Sequence, residues 1–182
     1  MNKKIEQNEK GFTLIELILY VAIAAIVVVG AVNIAWNLIF AQVYTEARQE
    51  VYYNGRLLLN ELTLKIREAQ DVSSGSMGSH PSSITLDYPG SGTDVIIDTY
   101  DKSVNVGGQP STIKKIRIKE GPLTYADLTS DTVNVTNFTL DDYTRGSEPA
   151  VIKVFLTLEH TNPGGDPKYD ASQSYETTVS IR

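Results

Sequence analysis

An apolar run close to the N-terminus constrains this chain more than any other feature. From Leu17 to Val32 every side chain is apolar apart from the hydroxyl of Tyr20. The wider stretch from Phe12 to Phe40 holds one ionisable group, Glu16, and the polar residues Thr13, Asn33 and Asn37. Crossing a bilayer takes roughly 20 apolar residues at about 1.5 Å each. A secretory signal peptide has a shorter apolar region, about 7–15 residues, and ends in a small-residue cleavage site. The run is too long for the second and long enough for the first; a buried core helix is the remaining alternative. Lys3, Lys4 and Lys10 precede it, and the first basic residue after it is Arg48. The positive-inside rule then puts the N-terminus in the cytoplasm and residues 41–182 outside, as a single-pass protein of the inner membrane.

Glu16 is the anomaly. A carboxylate at the centre of an apolar helix costs about 2.5–3.5 kcal/mol on insertion scales, so it needs a partner or a position near the headgroups. Lys10-Gly11-Phe12-Thr13-Leu14-Ile15-Glu16 resembles the class III leader of type IV prepilins and type II secretion pseudopilins. The resemblance implies that a membrane prepilin peptidase cuts after Gly11 and methylates the new amine of Phe12, and that Glu16 is the glutamate of the motif. It further implies other pilin or pseudopilin subunits, an inner-membrane assembly platform and membrane lipids as partners. The physics is coherent with that. Cleavage leaves a cationic amine, methylation keeps its charge, and in a low-dielectric filament core the amine and Glu16 neutralise one another. Glu16 becomes a device for assembly register.

The helical pattern continues past Phe40. Ala47, Val51, Leu58, Leu62, Ile66 and Ala69 recur at helical spacing, the mark of an amphipathic helix, and Glu61 with Lys65 forms a favourable i,i+4 pair. The pattern predicts one helix from Phe12 to Val72, stopped by Asp71-Val72-Ser73-Ser74-Gly75. Asn54-Gly55 is its expected weak point, since glycine costs about 1 kcal/mol relative to alanine; Gly30 and Asn33 are a second. The kinking proline of many major pilins is missing, the first proline being Pro81. Trp36, Tyr44, Tyr52 and Tyr53 suit an interfacial belt or filament contacts; core packing is an equal alternative for Tyr52 and Tyr53.

Residues 73–83 read as a small polar linker without helix or strand. Beyond it come short β-rich runs separated by turn residues: Ser83–Tyr88, Asp94–Tyr100, Thr112–Lys119, Val133–Asp141, Val151–Glu159 and Tyr175–Ile181. Val154–Leu158 reads as buried on both faces. The absence of intervening helices indicates antiparallel sheet laid on the helix. The expected fold is therefore α+β and pilin-like, one long helix followed by one sheet or two small ones. The expected parts are a leader (1–11), a membrane or filament-core helix (12–40), an amphipathic helix (41–72) and a β-rich domain (73–182). Gly55-Arg56 with Leu58, Leu62, Ile66, Arg67 and Ala69, together with Val135–Phe138 and the Val151–Glu159 and Tyr175–Arg182 hairpin, is similar to minor pseudopilins of the J class and related minor pilins. Unlike many type IV pilins the chain has no cysteine, so the C-terminus must be held by hydrogen bonds and burial.

The missing cysteines also remove thiolate catalysis and cysteine-ligated metals. A net charge of −6 argues against nucleic-acid binding. No Gly-x-Ser-x-Gly, phosphate loop or His-Glu-x-x-His occurs, so neither an enzyme nor a cofactor is expected. His80 and His160 have no ligand partners in sequence and read as surface residues. Asp166 and Asp170 are a weak calcium candidate, with a solvated turn as the alternative. Asp94, Asp98 and Asp101 read as solvated edge charges that discourage strand aggregation. The acceptor-like Asn134-Val135-Thr136 and Asn137-Phe138-Thr139 carry little weight. Residues 73–182 hold 9 basic and 14 acidic side chains, a solubilising surface or one that faces basic partners. The whole suggests a minor pilin or pseudopilin; the alternative is an unprocessed single-pass protein presenting a ligand- or surface-binding β domain.

Overall fold

The computed structural model describes residues 11–90, 92–146 and 149–181. Lys3, Lys4, Lys10 and the rest of the leader before Gly11, like Arg182, lie outside the described residues. The fold is α+β and pilin-like, with helix α1 (Leu14–Glu68) followed by antiparallel sheets. Two compact units divide between Ala41 and Gln42. In the first, the helix carries its apolar side chains exposed on every face, Ile26 at 73% and Trp36 at 67% among them. The helix is long and apolar enough to cross a membrane.

In the second unit, α1 turns one face inward. Ala47, Val51, Leu58, Leu62 and Ile66 are each 3% exposed or less, and full burial of a leucine stabilises by about 1.5–3 kcal/mol. Tyr52 and Tyr53 point outward, at 52% and 68% exposed, which leaves their core alternative unfilled. Helix α1 stops at Glu68, short of Val72. Its last turn holds Lys65 and Arg67, complementing the helix dipole. There the Lys65 carbonyl accepts a hydrogen bond from the Tyr88 hydroxyl at 2.6 Å, and the Gln70 N–H turns to the Asp87 carbonyl at 2.8 Å.

The first sheet runs in the order β1 (Asp71–Ser76), β2 (Ser83–Asp87), β3 (Val95–Val106), β4 (Gln109–Glu120) and β5 (Ala126–Asp127). Strand β1 overturns the expectation of a structureless linker over 73–83. It is a largely exposed edge strand held to β2 by main-chain pairing, with only Val72 packed against the core, so it leaves no alternating apolar pattern. Gly75 permits it, because a Cβ there would sit 2.4 Å from the Ser83 carbonyl oxygen. Strands β3 and β4 form a hairpin longer than expected, closed by Gly107 and Gly108, both at positive φ, as a two-residue primed turn requires.

The second sheet runs β6 (Val133–Asp142), β7 (Val151–His160), β8 (Ser172–Ser180). Strand β7 alternates strictly, with Ile152, Val154, Leu156 and Leu158 buried and the residues between them half-exposed. Its expected two-faced burial is therefore corrected: Phe155 lies on the outer face with the Lys153 ammonium 4.5 Å from its ring centre. Apolar residues of both sheets and the inward face of α1 form a single core, with Phe138 at its largest fully buried position. The two sheets meet where the Lys114 N–H donates to the Asn134 side-chain oxygen at 2.8 Å. The C-terminus is tied by burial of Ile181 and its hydrogen bond to the Ala150 carbonyl at 2.9 Å.

Candidate functional site

The site singled out by the sequence lies where α1 begins. Gly11, Phe12 and Thr13 precede the helix. Thr13 starts it: its side-chain oxygen accepts the Glu16 N–H at 3.3 Å and its carbonyl accepts the Leu17 N–H at 3.1 Å. Thr13 and Glu16 thus stand in the Thr-x-x-Glu relation of a capping box, and Glu16 lies in the first turn, where the helix dipole favours a negative charge. The sequence reading missed this role of Thr13, although the Thr-x-x-Glu spacing signals it. Phe12 is 73% exposed, with its ring 6.0 Å from that of Tyr20, edge-on. Gly11 stands in open space, and a Cβ added to it would meet no atom within 4 Å. Its small size therefore serves no packing among the described residues. No cation among those residues is paired with Glu16.

Residues 7–32 match the family model of the prokaryotic N-terminal methylation motif. The motif supports a type IV pilin-like family, and the match spans the cut expected after Gly11, Phe12, Glu16 and the apolar helix as far as Val32. No curated protein and no solved structure matches the chain. The exposed apolar helix that begins within the motif fits anchoring in the inner membrane, since a contiguous apolar surface of this kind is covered by lipid or by protein.

The other sequence candidates lie in the second unit, and most are engaged in holding it together. Asp166 caps the short 3-10 turn Pro167–Tyr169, accepting the Lys168 N–H at 3.2 Å, and pairs with the Lys168 ammonium at 2.8 Å. Those hydrogen bonds from Lys168 hold its carboxyl below the usual range. Asp166 is thus engaged with Lys168, and among the described residues no group of three or more His, Asp or Glu is placed to hold a metal. Asp98 and Asp101 are not free edge charges. They pair across the β3–β4 ladder with Arg117 at 2.6 Å and Lys114 at 2.7 Å. Asp94 stands just before β3, its carbonyl accepting the Gly121 N–H at 2.8 Å.

His80 is exposed as expected, yet its Nδ1 accepts the Phe138 N–H at 2.9 Å and so fastens the β1–β2 connection to β6. His160 is only half-exposed and stacks on Tyr169, with ring centres 5.6 Å apart. It lines a cavity of about 300 Å³ with Val106, Gln109 and Thr161. Burial pushes its pKa down, against the opposing pull of Glu50. Asn134 and Asn137 accept internal hydrogen bonds, from the Lys114 N–H and the Thr139 hydroxyl.

Two clusters escaped the sequence reading. At Asn54-Gly55, the Asn54 oxygen accepts the Ser130 N–H at 2.9 Å, and Glu50 accepts the Ser130 and Thr132 hydroxyls at 3.0 and 2.8 Å. The Tyr175 ring lies so close to Gly55 that a Cβ would stand 2.2 Å from it. On the outer face of the first sheet, the buried Lys115 pairs with Asp127 at 2.8 Å and with Asp131. Lys102 reaches both carboxylates as well. Burial works against the charge of Asp127, but hydrogen bonds from Lys115, Tyr100 and Lys102 outweigh it and bring its pKa to about 2.

Proposed function

We propose that this chain is a minor pilin or pseudopilin, a structural subunit of a type IV pilus or of a type II secretion pseudopilus. It is cut after Gly11 by a prepilin peptidase, methylated at Phe12, stored in the inner membrane with its N-terminus inward, and polymerised through the Phe12–Phe40 helix. Sibling subunits and an inner-membrane assembly platform are its partners, and the force comes from elsewhere, because the chain has no nucleotide motif. No catalytic role is assigned.

One observation carries the reading. The methylation motif, residues 7–32, takes in the helix start capped by Thr13, and the helix exposes apolar side chains on every face as far as Phe40. Within an assembly, the Phe12 amine and Glu16 neutralise each other in low dielectric, so a subunit gains most at the one axial position that brings them together. The likeness of the Gly55–Ala69 helix and the C-terminal hairpin to J-class minor pseudopilins supports the narrower placement among minor subunits.

Mass spectrometry of membrane-extracted protein tests the reading. A chain beginning at N-methyl-Phe12 is the expected result. An intact leader in cells with an active peptidase would overturn it in favour of a permanently anchored β domain.

A further inference from the structure

The outward face of α1 in the second unit has an order that the fold does not use. Tyr53, Leu57, Asn60 and Leu64 follow a 4-3-4 spacing. At about 100° per residue they fall within roughly 60° of one another, about 150° round the helix from Ala47, Val51, Leu58, Leu62 and Ile66. Tyr53, Leu57 and Leu64 are 68%, 50% and 49% exposed. The 4-3-4 spacing is that of a coiled-coil seam, with Leu57 and Leu64 at a-type and Tyr53 and Asn60 at d-type positions.

The flanks carry opposite charges. Arg56, in the g-type position, contacts the Tyr52 ring and hydroxyl of its own helix; among the described residues it has no carboxylate partner. Glu61, in the e-type position, lies 3.9 Å from Lys65, which makes its close contact instead with Glu120 at 2.7 Å. In a parallel pair of helices, a g residue of one meets the e residue five positions later on the other. Arg56 and Glu61 are five apart. In an antiparallel pair, g meets g and e meets e, so Arg56 and Glu61 have no way to pair with each other.

We propose that this stripe is a docking surface for the α1 helix of a second copy of this chain, running parallel and held by reciprocal Arg56–Glu61 pairs. A seam this short is weak in free solution, but copies anchored by one apolar segment share an orientation and a plane, which raises their effective concentration. The proposal needs only that shared anchorage and does not rest on the filament reading.

Because the chain has no cysteine, the full-length protein in its own membranes can carry single reporters. Leu57→Cys and Leu64→Cys should each give a disulfide-linked homodimer under mild oxidation, at least about tenfold above Ser103→Cys on the exposed part of β3; a disulfide needs Cα atoms within about 7 Å. In the Leu57→Cys background, Arg56→Glu should abolish the dimer, Arg56→Gln should reduce it, and Arg56→Glu with Glu61→Arg should restore it. Four results would overturn the proposal: no dimer at 57 or 64, indifference to charge reversal, cross-linking only between Tyr53→Cys and Leu64→Cys chains, or a product of the wrong mass for two copies. The N-terminal mass of the same samples reports on processing, so an unprocessed chain that still cross-links would sink the filament reading and leave the seam standing.

Discussion

Helix α1 contains two glycines that look alike in sequence and behave differently in the fold. Around Gly30 there is open space, whereas Gly55 is covered by the Tyr175 ring. The same contrast holds along the helix: residues up to Ala41 turn apolar side chains outward on all faces, while residues from Gln42 onward bury one face and wet the other. The first half leaves its apolar side chains uncovered by the described chain, and the second half uses most of its own on the β domain. A substitution should therefore report on assembly in one half and on folding in the other.

The largest effect should come from Glu16→Leu. Membrane insertion should persist, and incorporation into filaments should fall at least tenfold, as read by shearing and immunoblotting; wild-type incorporation would remove Glu16 as the register device. Next, Leu62→Ala should cost about 2–5 kcal/mol in the β domain, measured by chemical denaturation in detergent. Ile26→Ala should leave that transition unmoved, and equal losses would erase the distinction between the halves.

The glycines make a sharper test because propensity and packing predict opposite signs. Replacing glycine by alanine within a helix gains about 1 kcal/mol, and Gly30→Ala should retain that gain. Gly55→Ala should instead lose about 1–3 kcal/mol through overpacking, and Tyr175→Ala in the same chain should recover much of the loss. A stabilised Gly55→Ala would refute the contact with Tyr175.

The smallest effect is electrostatic. Asp127 has its pKa lowered to about 2, and Asp131 is lowered mainly by the hydrogen bond from Lys115. Depressed carboxyl values contribute stability above the unfolded value near 4, and that contribution is lost as pH falls toward 2. After solvent screening it should amount to about 1 kcal/mol for Asp127. Melting followed from pH 5 to pH 2 should show the loss, and Lys115→Met should flatten it.

Much of the molecule was legible because local patterns sufficed. The apolar run, the amphipathic helix after it and the six larger strands depend on neighbours in sequence, where side-chain period and turn residues carry the signal. The Gly11–Glu16 motif is likewise contiguous, so its recognition needed no fold. Strand β1 was missed because an exposed edge pairs mainly through its backbone and leaves no apolar period to read. The two-residue β5 is too short to leave a pattern. Asp98 and Asp101 were misjudged because each finds its partner a hairpin away, in Arg117 and Lys114.

The sequence by itself determined which helix is apolar enough to cross a membrane and where the methylation motif lies, since each follows from residues within a few positions of one another. Only the tertiary structure decided that Asn54-Gly55 is a docking point for Ser130 and Tyr175, and that a buried lysine holds two aspartates. It also decided that the outward stripe of α1 is left uncovered. Those outcomes depend on residues up to 120 positions apart in sequence meeting in space (Tyr175 above Gly55), and no local period encodes which of them will meet.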